Sequence, residues 1–377
     1  MKILHIINRL GAAGAETMLF NLAQSLRQDS LEQEVITLMP GGGLCDKFIK
    51  KGFSVNHLGM RQGFPSIRAL WSLSRHVHRV KPDIVMGWLY HSSFAATFVV
   101  PRNIPIIWGV HHTLTRMQEE KFLTRVLIEN GPRLKHRVSR YVYVSELGAR
   151  QHQALGYPED KSVVIPNGFD LKKFQRDDLV RAAVRKELSL EDHQIVFGCA
   201  GRYNENKNQL GLVRAFGKLA LINPNVILVL LGHGVDGNNR QLIELIQEFN
   251  IRERVILLGI RDDVHRVMTA LDIYISPSKW FEAFPLVLGE AMATEIPCIA
   301  TDLGDCAQII GDTGLLIPPD NEQALQEAMA KMVKLSAEQR YRLGYSARAR
   351  IREKFDLASI ADRYKELFRE LVPVPKN

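Results

Sequence analysis

The chain has 377 residues, of which 46% are hydrophobic and 24% charged. That length is too great for one ordinary core and suits two domains, and the composition excludes a mainly disordered chain. The formal charge of +8 lies wholly in residues 1–170, which hold 21 Lys and Arg against 13 Asp and Glu; residues 171–377 balance at 28 of each. An excess confined to one half points to an anionic partner (a membrane surface, a polyanionic substrate or nucleic acid), the plain alternative being an idle basic surface.

In chain order, the start runs directly into an apolar strand, with neither the long apolar core nor the small-residue cleavage site of a signal peptide. The most apolar stretch, 84–100, is broken by His91, Ser92 and Ser93 and does not read as a membrane span. A cytoplasmic protein is expected. Cys45, Cys199, Cys298 and Cys306 stand at no metal-ligand spacing and read as buried thiols. Strands are expected near 3–7, 34–37, 54–57, 84–86, 106–110, 141–144 and 163–165, with helices near 15–28, 66–80, 91–100, 118–130 and 146–155 between them. The second half repeats the alternation with strands near 195–200, 226–231, 255–258, 273–276 and 297–300, and the tail after 338 reads as helical. Such alternation is the pattern of parallel sheets covered on both faces, α/β in class. The turn-rich cluster at 166–170 marks a boundary between two domains.

Four stretches carry chemistry. The first turn, 9–16, is rich in small residues and leads into a helix, so its backbone can approach a phosphate closely, the plainer alternative being a turn that serves packing only. His111, His112 and Thr113 follow a buried strand; His111 is either a packed loop residue or a group facing a ligand. After the strand 195–200, Arg202 and Lys207 can converge on a diphosphate, one as a fork and the other as a point charge. Finally, the run 271–275, apolar but for Asp272, is followed by a loop holding Glu282 and then Phe284, Pro285, Leu286 and Val287 at a helix start, with Glu290 inside the helix. That helix start turns unpaired N–H groups toward whatever lies beyond the strand.

The last stretch, with Ser278, Glu282-Ala283-Phe284-Pro285, Glu290-Ala291-Met292-Ala293 and Pro297-Cys298-Ile299-Ala300-Thr301, resembles the carboxy-terminal signature of the retaining glycosyltransferases of family 4, which have the two-domain GT-B architecture. The resemblance covers most of the chain, strongly over 195–320 and more loosely over 1–170. It implies two Rossmann-like doubly wound domains facing each other across a deep cleft, one of residues 1–168 and one of 169–357, with a final helix at about 358–377 packed back on the first. It also implies that Arg202 and Lys207 neutralise the leaving nucleotide, that Glu282 holds sugar hydroxyls, Glu290 the ribose and His111 the donor sugar, and that the loop of Arg261 holds the base. His91 and Ser145 match weaker positions on the acceptor side. Ala13 stands where the family's first-turn loop has a Gly, which leaves Gly14 as the likelier backbone contact; Glu295, Asp305 and Gln308 also depart from the family pattern and leave the donor sugar open.

No Asp-x-Asp pair occurs, so the expectation is transfer without a metal or other cofactor, from a nucleotide sugar, UDP-sugar favoured. The partners implied are a glycan or lipid-linked acceptor and an anionic membrane leaflet touched by the basic amino-terminal domain, with no nucleic acid. Two rivals share these features: a sugar-nucleotide epimerase, and a non-catalytic nucleotide-sugar binding protein. A dinucleotide-binding dehydrogenase ranks lower, because no Gly-x-Gly-x-x-Gly follows the first strand.

Overall fold

The computed structural model describes the chain except residues 12, 28–30, 62–65, 115–116 and 373–377. Ala12 of the first turn, Arg116 of the basic half and the end of the expected final helix therefore lie outside the described residues. The chain divides into two compact units, Met1–Gly168 with Leu357–Asn377, and Phe169–Asp356.

The first unit is built on a seven-stranded parallel sheet, β1 (Lys2–Ile7), β2 (Glu32–Thr37), β3 (Ser54–His57), β4 (Ile84–Trp88), β5 (Ile106–Val110), β6 (Arg140–Tyr143) and β7 (Ser162–Val164), in the order β3-β2-β1-β4-β5-β6-β7. Side chains alternate faces along a strand. Ile3 and Ile7 accordingly enter a core with Leu19, Leu22, Phe48 and Met86, while Leu4 and Ile6 enter another with Leu73, Val77, Val85 and Trp108. Because both faces are covered, β4 and β5 are buried throughout and read as unbroken apolar runs.

The helix Leu357–Leu371 belongs to this unit. Its Leu357, Ile360, Ala361, Tyr364, Leu367 and Phe368 recur at helical spacing, and all are buried in the core of Ile3 and Leu22.

The second unit holds β8 (Ile195–Ala200), β9 (Val226–Leu231), β10 (Val255–Leu257), β11 (Ile273–Ser276), β12 (Cys298–Thr301) and β13 (Leu315–Ile317), all parallel, in the order β10-β9-β8-β11-β12-β13. Asp272, the one charge in an apolar run, has a structural task at the foot of β11. Its carboxylate accepts the Val196 N–H at 2.8 Å and pairs with Arg181 at 2.7 Å and the buried Arg185 at 3.3 Å. All four cysteines are buried and free.

Each sheet reverses its winding once, between β1 and β4 and between β8 and β11. The carboxyl ends of the strands at such a switch point are where open α/β sheets bind ligands.

Candidate active site

At the β8/β11 switch point two loops are laced together. Beyond β8, the Asn204 side chain accepts the Lys207 N–H at 2.9 Å and caps the short turn Glu205–Lys207. Asn208, at φ 55°, then redirects the chain into the helix Gln209–Ala220. Asn206 makes the link to the loop after β11. Its carbonyl accepts the Lys279 N–H at 2.7 Å, its Oδ1 accepts the N–H groups of Trp280 at 3.1 Å and Phe281 at 3.0 Å, and its Nδ2 donates to the Phe281 carbonyl at 2.8 Å. From the other side, Thr301 Oγ1 donates to the Ser278 carbonyl at 2.8 Å and the Asp305 N–H to the Ala283 carbonyl at 3.0 Å. Gly304 is required there: its φ is 53°, and a Cβ would lie 1.9 Å from the Glu282 carbonyl oxygen.

These constraints fix Glu282. Its side chain is buried, and Oε1 accepts hydrogen bonds from the wholly buried Ser278 hydroxyl at 2.6 Å and from the Lys207 ammonium. A buried carboxylate held by a cation and a hydroxyl is secure while both donors remain, and removing one leaves charge without compensation. Arg202, in the same loop as Lys207, is exposed and makes no ion pair with the described residues, so its guanidinium is free for an anion. Cys199 and Cys306 are no nucleophiles, since burial pushes both thiols up to about 12.

The helix Leu286–Ala293 starts beside this knot. Pro285 precedes it in extended conformation without a side-chain cap, so the N–H groups of the first turn, those of Leu286 and Val287 included, have no side-chain acceptor. Phe284 is packed away: its ring stacks on Phe169 at 6.0 Å and meets Phe355 edge-on. Only its backbone can serve a ligand. Gly289 lies against the Phe169 ring, where a Cβ would come within 2.0 Å. Glu290 is not the solvated surface residue that its position in a helix allows, for burial raises its carboxyl to about 7, Lys173 opposing. The loops after β9 and β10 pack beside that of β8 through Gly232, which donates to the Gly259 carbonyl at 2.7 Å. Arg261 follows, its side chain paired with Asp263 at 2.7 Å and Glu187 at 2.9 Å.

In the first unit, Gly14 is the exposed first residue of the helix Gly14–Leu26, behind an Ala13 that has no side chain to cap with. His111 leaves β5 stacked on Trp88 at 4.9 Å, and neither ring nitrogen has a hydrogen-bond partner. Burial lowers its pKa to about 3, so the imidazole is neutral and keeps one donor and one acceptor unspent. His112 differs, pairing with Glu120 at 2.9 Å. Ser145 is occupied as the cap of the helix Glu146–Ala154, accepting the Gly148 N–H at 2.9 Å. His91 is partly buried and its pKa is lowered by burial and by Lys121. Among the described residues no three His, Cys, Asp or Glu side chains gather as a metal site needs.

Lys207, Ser278 and Glu282 are thus brought into contact, Arg202 shares a loop with Lys207, and Glu290 lies one turn into the adjoining helix. His111 and Gly14 follow β5 and β1 of the other unit. Sequence reading missed Asn206, an ordinary residue in a polar loop, whose role depends on a segment 73 residues or more away, at Lys279.

Residues 180–350 match the family model described as Glycosyl transferases group 1, and residues 12–173 that described as Glycosyltransferase Family 4. The chain is 25% identical over 305 residues to the N-acetyl-alpha-D-glucosaminyl L-malate synthase of Bacillus anthracis, covering 80% of this chain and 76% of that one. It is 28% identical over 216 residues to the Escherichia coli UDP-Gal:alpha-D-GlcNAc-diphosphoundecaprenol alpha-1,3-galactosyltransferase, covering 56% of this chain and only 55% of the relative. Its fold is similar to that of the Anabaena protein HepE, solved in complex with UDP, with a TM-score of 0.85 at 20% identity, over 98% of this chain and 100% of the other. Two parallel-sheet Rossmann-like units, each with one reversal of winding, define an α/β protein of GT-B type. The chain belongs to the glycosyltransferases that these two family models describe.

Proposed function

We propose that the protein moves a sugar from a nucleotide sugar, a UDP-sugar by preference, to a hydroxyl of a glycan or lipid-linked acceptor in bacterial surface polysaccharide or lipopolysaccharide assembly. The observation that carries this reading is the knot of Lys207, Ser278 and Glu282 at the β8/β11 switch point, beside a free Arg202 and an uncapped helix start. In this reading Arg202, Lys207 and the first-turn N–H groups take the charge that develops on the departing diphosphate, so no metal is needed for that task. Glu282 orients the sugar hydroxyls, Glu290 receives the ribose hydroxyls, and the backbone near Arg261 frames the base. His111, neutral and unsatisfied, offers its ring nitrogens to the sugar. The acceptor hydroxyl attacks on the face the nucleotide leaves and passes its proton to a phosphate oxygen, so that anomeric configuration is retained. The UDP preference is supported by the UDP-Gal in the name of the Escherichia coli relative.

The test is thermal unfolding with UDP-, GDP- and ADP-sugars, each in EDTA and in magnesium. A ligand at about 100 times its Kd adds about 2.7 kcal/mol to native stability. One nucleotide family should raise Tm equally in EDTA, and Lys207→Ala should abolish that rise. A rise that depends on magnesium, or one retained by Lys207→Ala, overturns the assignment.

A further inference from the structure

The helix Ile67–Val80 of the first unit carries two opposed stripes. Ala69, Leu73, His76 and Val77 are buried on the sheet. The opposite stripe is unusual for a solvated surface, because Ile67 is 86% exposed and Trp71, one turn on, 62% exposed. Around them stand exposed Arg68, Arg75 and Arg79, and residues 66–81 contain no Asp or Glu. Arg68 and Arg75 make no ion pair with the described residues, and the Arg75 guanidinium lies 4.6 Å above the Trp71 ring. Alongside runs a groove of about 590 Å³ lined by His57, Arg75 and Arg79, with Asn56 and His76 at its wall paired to the Glu34 carboxylate.

We propose that this helix is the protein's docking surface for an anionic lipid bilayer. An indole and an isoleucine on one face enter the headgroup and upper acyl region, while arginines on the same face reach lipid phosphates, their stems lying along the apolar surface. The groove receives a headgroup phosphate on Arg75 and Arg79. The same chemistry recurs on the helix Phe122–Asn130, where Phe122 is 73% exposed beside Lys121 and beneath Arg125, at 5.9 Å. A second copy of the chain is a poor occupant, because a twofold contact through this stripe sets unpaired arginines against arginines. The surface rests on the lipid-linked half of the proposed function and places it on named residues.

The test is flotation of the full chain with vesicles of phosphatidylcholine alone and with about one-third phosphatidylglycerol, at low and high salt, with nucleotide-sugar thermal shifts on the same samples. Binding should require the anionic lipid and weaken with salt. The double variant Arg68→Gln, Arg75→Gln should bind about 25-fold more weakly, about fivefold per arginine. Trp71→Ala should weaken binding about tenfold, with Trp71→Phe near wild type. All variants should keep the nucleotide-sugar shift; a wild-type protein without that shift refutes the donor reading instead. Binding that ignores lipid charge, wild-type flotation of the arginine variant, or a Trp71→Ala protein that only changes from dimer to monomer overturns the proposal.

Discussion

Asn206 holds more of the site than any residue whose chemistry is conspicuous. Three contacts of its carboxamide and one of its carbonyl fix the loop that ends at Glu282. Asn206→Ala should therefore lower kcat for transfer by about 100-fold, the scale of a misplacement of about 1 Å, with the nucleotide Kd changed only a few-fold. An equal loss in both would mean that the residue serves folding alone. Glu290 supplies a second prediction. Its folded pKa, about 7, is above the ordinary carboxyl value of 4.5, so the folded state binds the proton more tightly than the unfolded state. Stability must then fall as pH rises from the lower value to the higher, by up to about 3 kcal/mol. Glu290→Gln should remove that fall, so that the variant melts above wild type at pH 8 and beside it at pH 4. Lys207, Glu282 and Glu290 were singled out in the sequence because their spacing resembles a motif. Asn206 was not, because its partners are fixed by the fold and leave no trace in local sequence.

At the scale of elements, what sequence conveyed depended on length and burial. Strands such as β4, β5 and β9 are unbroken apolar runs between turn residues and were placed with little error. β13 was missed: three residues with Leu316 38% exposed cannot display a period. The helices Cys45–Lys50 and Cys306–Ile310 escaped for the same reason. The helix after β4 begins at Leu89, earlier than expected, in a left-handed conformation (φ 66°) that its sequence does not announce. The final helix was legible as a helix from its period, whereas its destination came from family resemblance alone. Its packing gives a clear test. Phe368 is fully buried between the sheet and its own neighbours, so Phe368→Ala should cost about 3–5 kcal/mol, seen as a lower midpoint in urea with donor binding intact below it.

For the whole molecule, the charge split and the doubled α/β alternation stated the plan early: two sheets, with the basic excess on one half. Composition could not reveal that the first unit is discontinuous in sequence, closed by Leu357–Leu371 after the whole of the second. That discontinuity governs how the protein is born. On the ribosome, residues 1–168 emerge first, yet the face of β1 and β4 that the helix Leu357–Leu371 covers stays open until that helix has been made. The second unit, contiguous from Phe169 to Asp356, has all its strands at hand and can close ahead of its elder. A fragment of residues 169–356 should thus fold alone and bind nucleotide sugar, while one of residues 1–168 should aggregate or bind a hydrophobic dye until a peptide of residues 357–372 is added. The nascent first half is a client in waiting, and a chain cut short before Leu357 would leave it there.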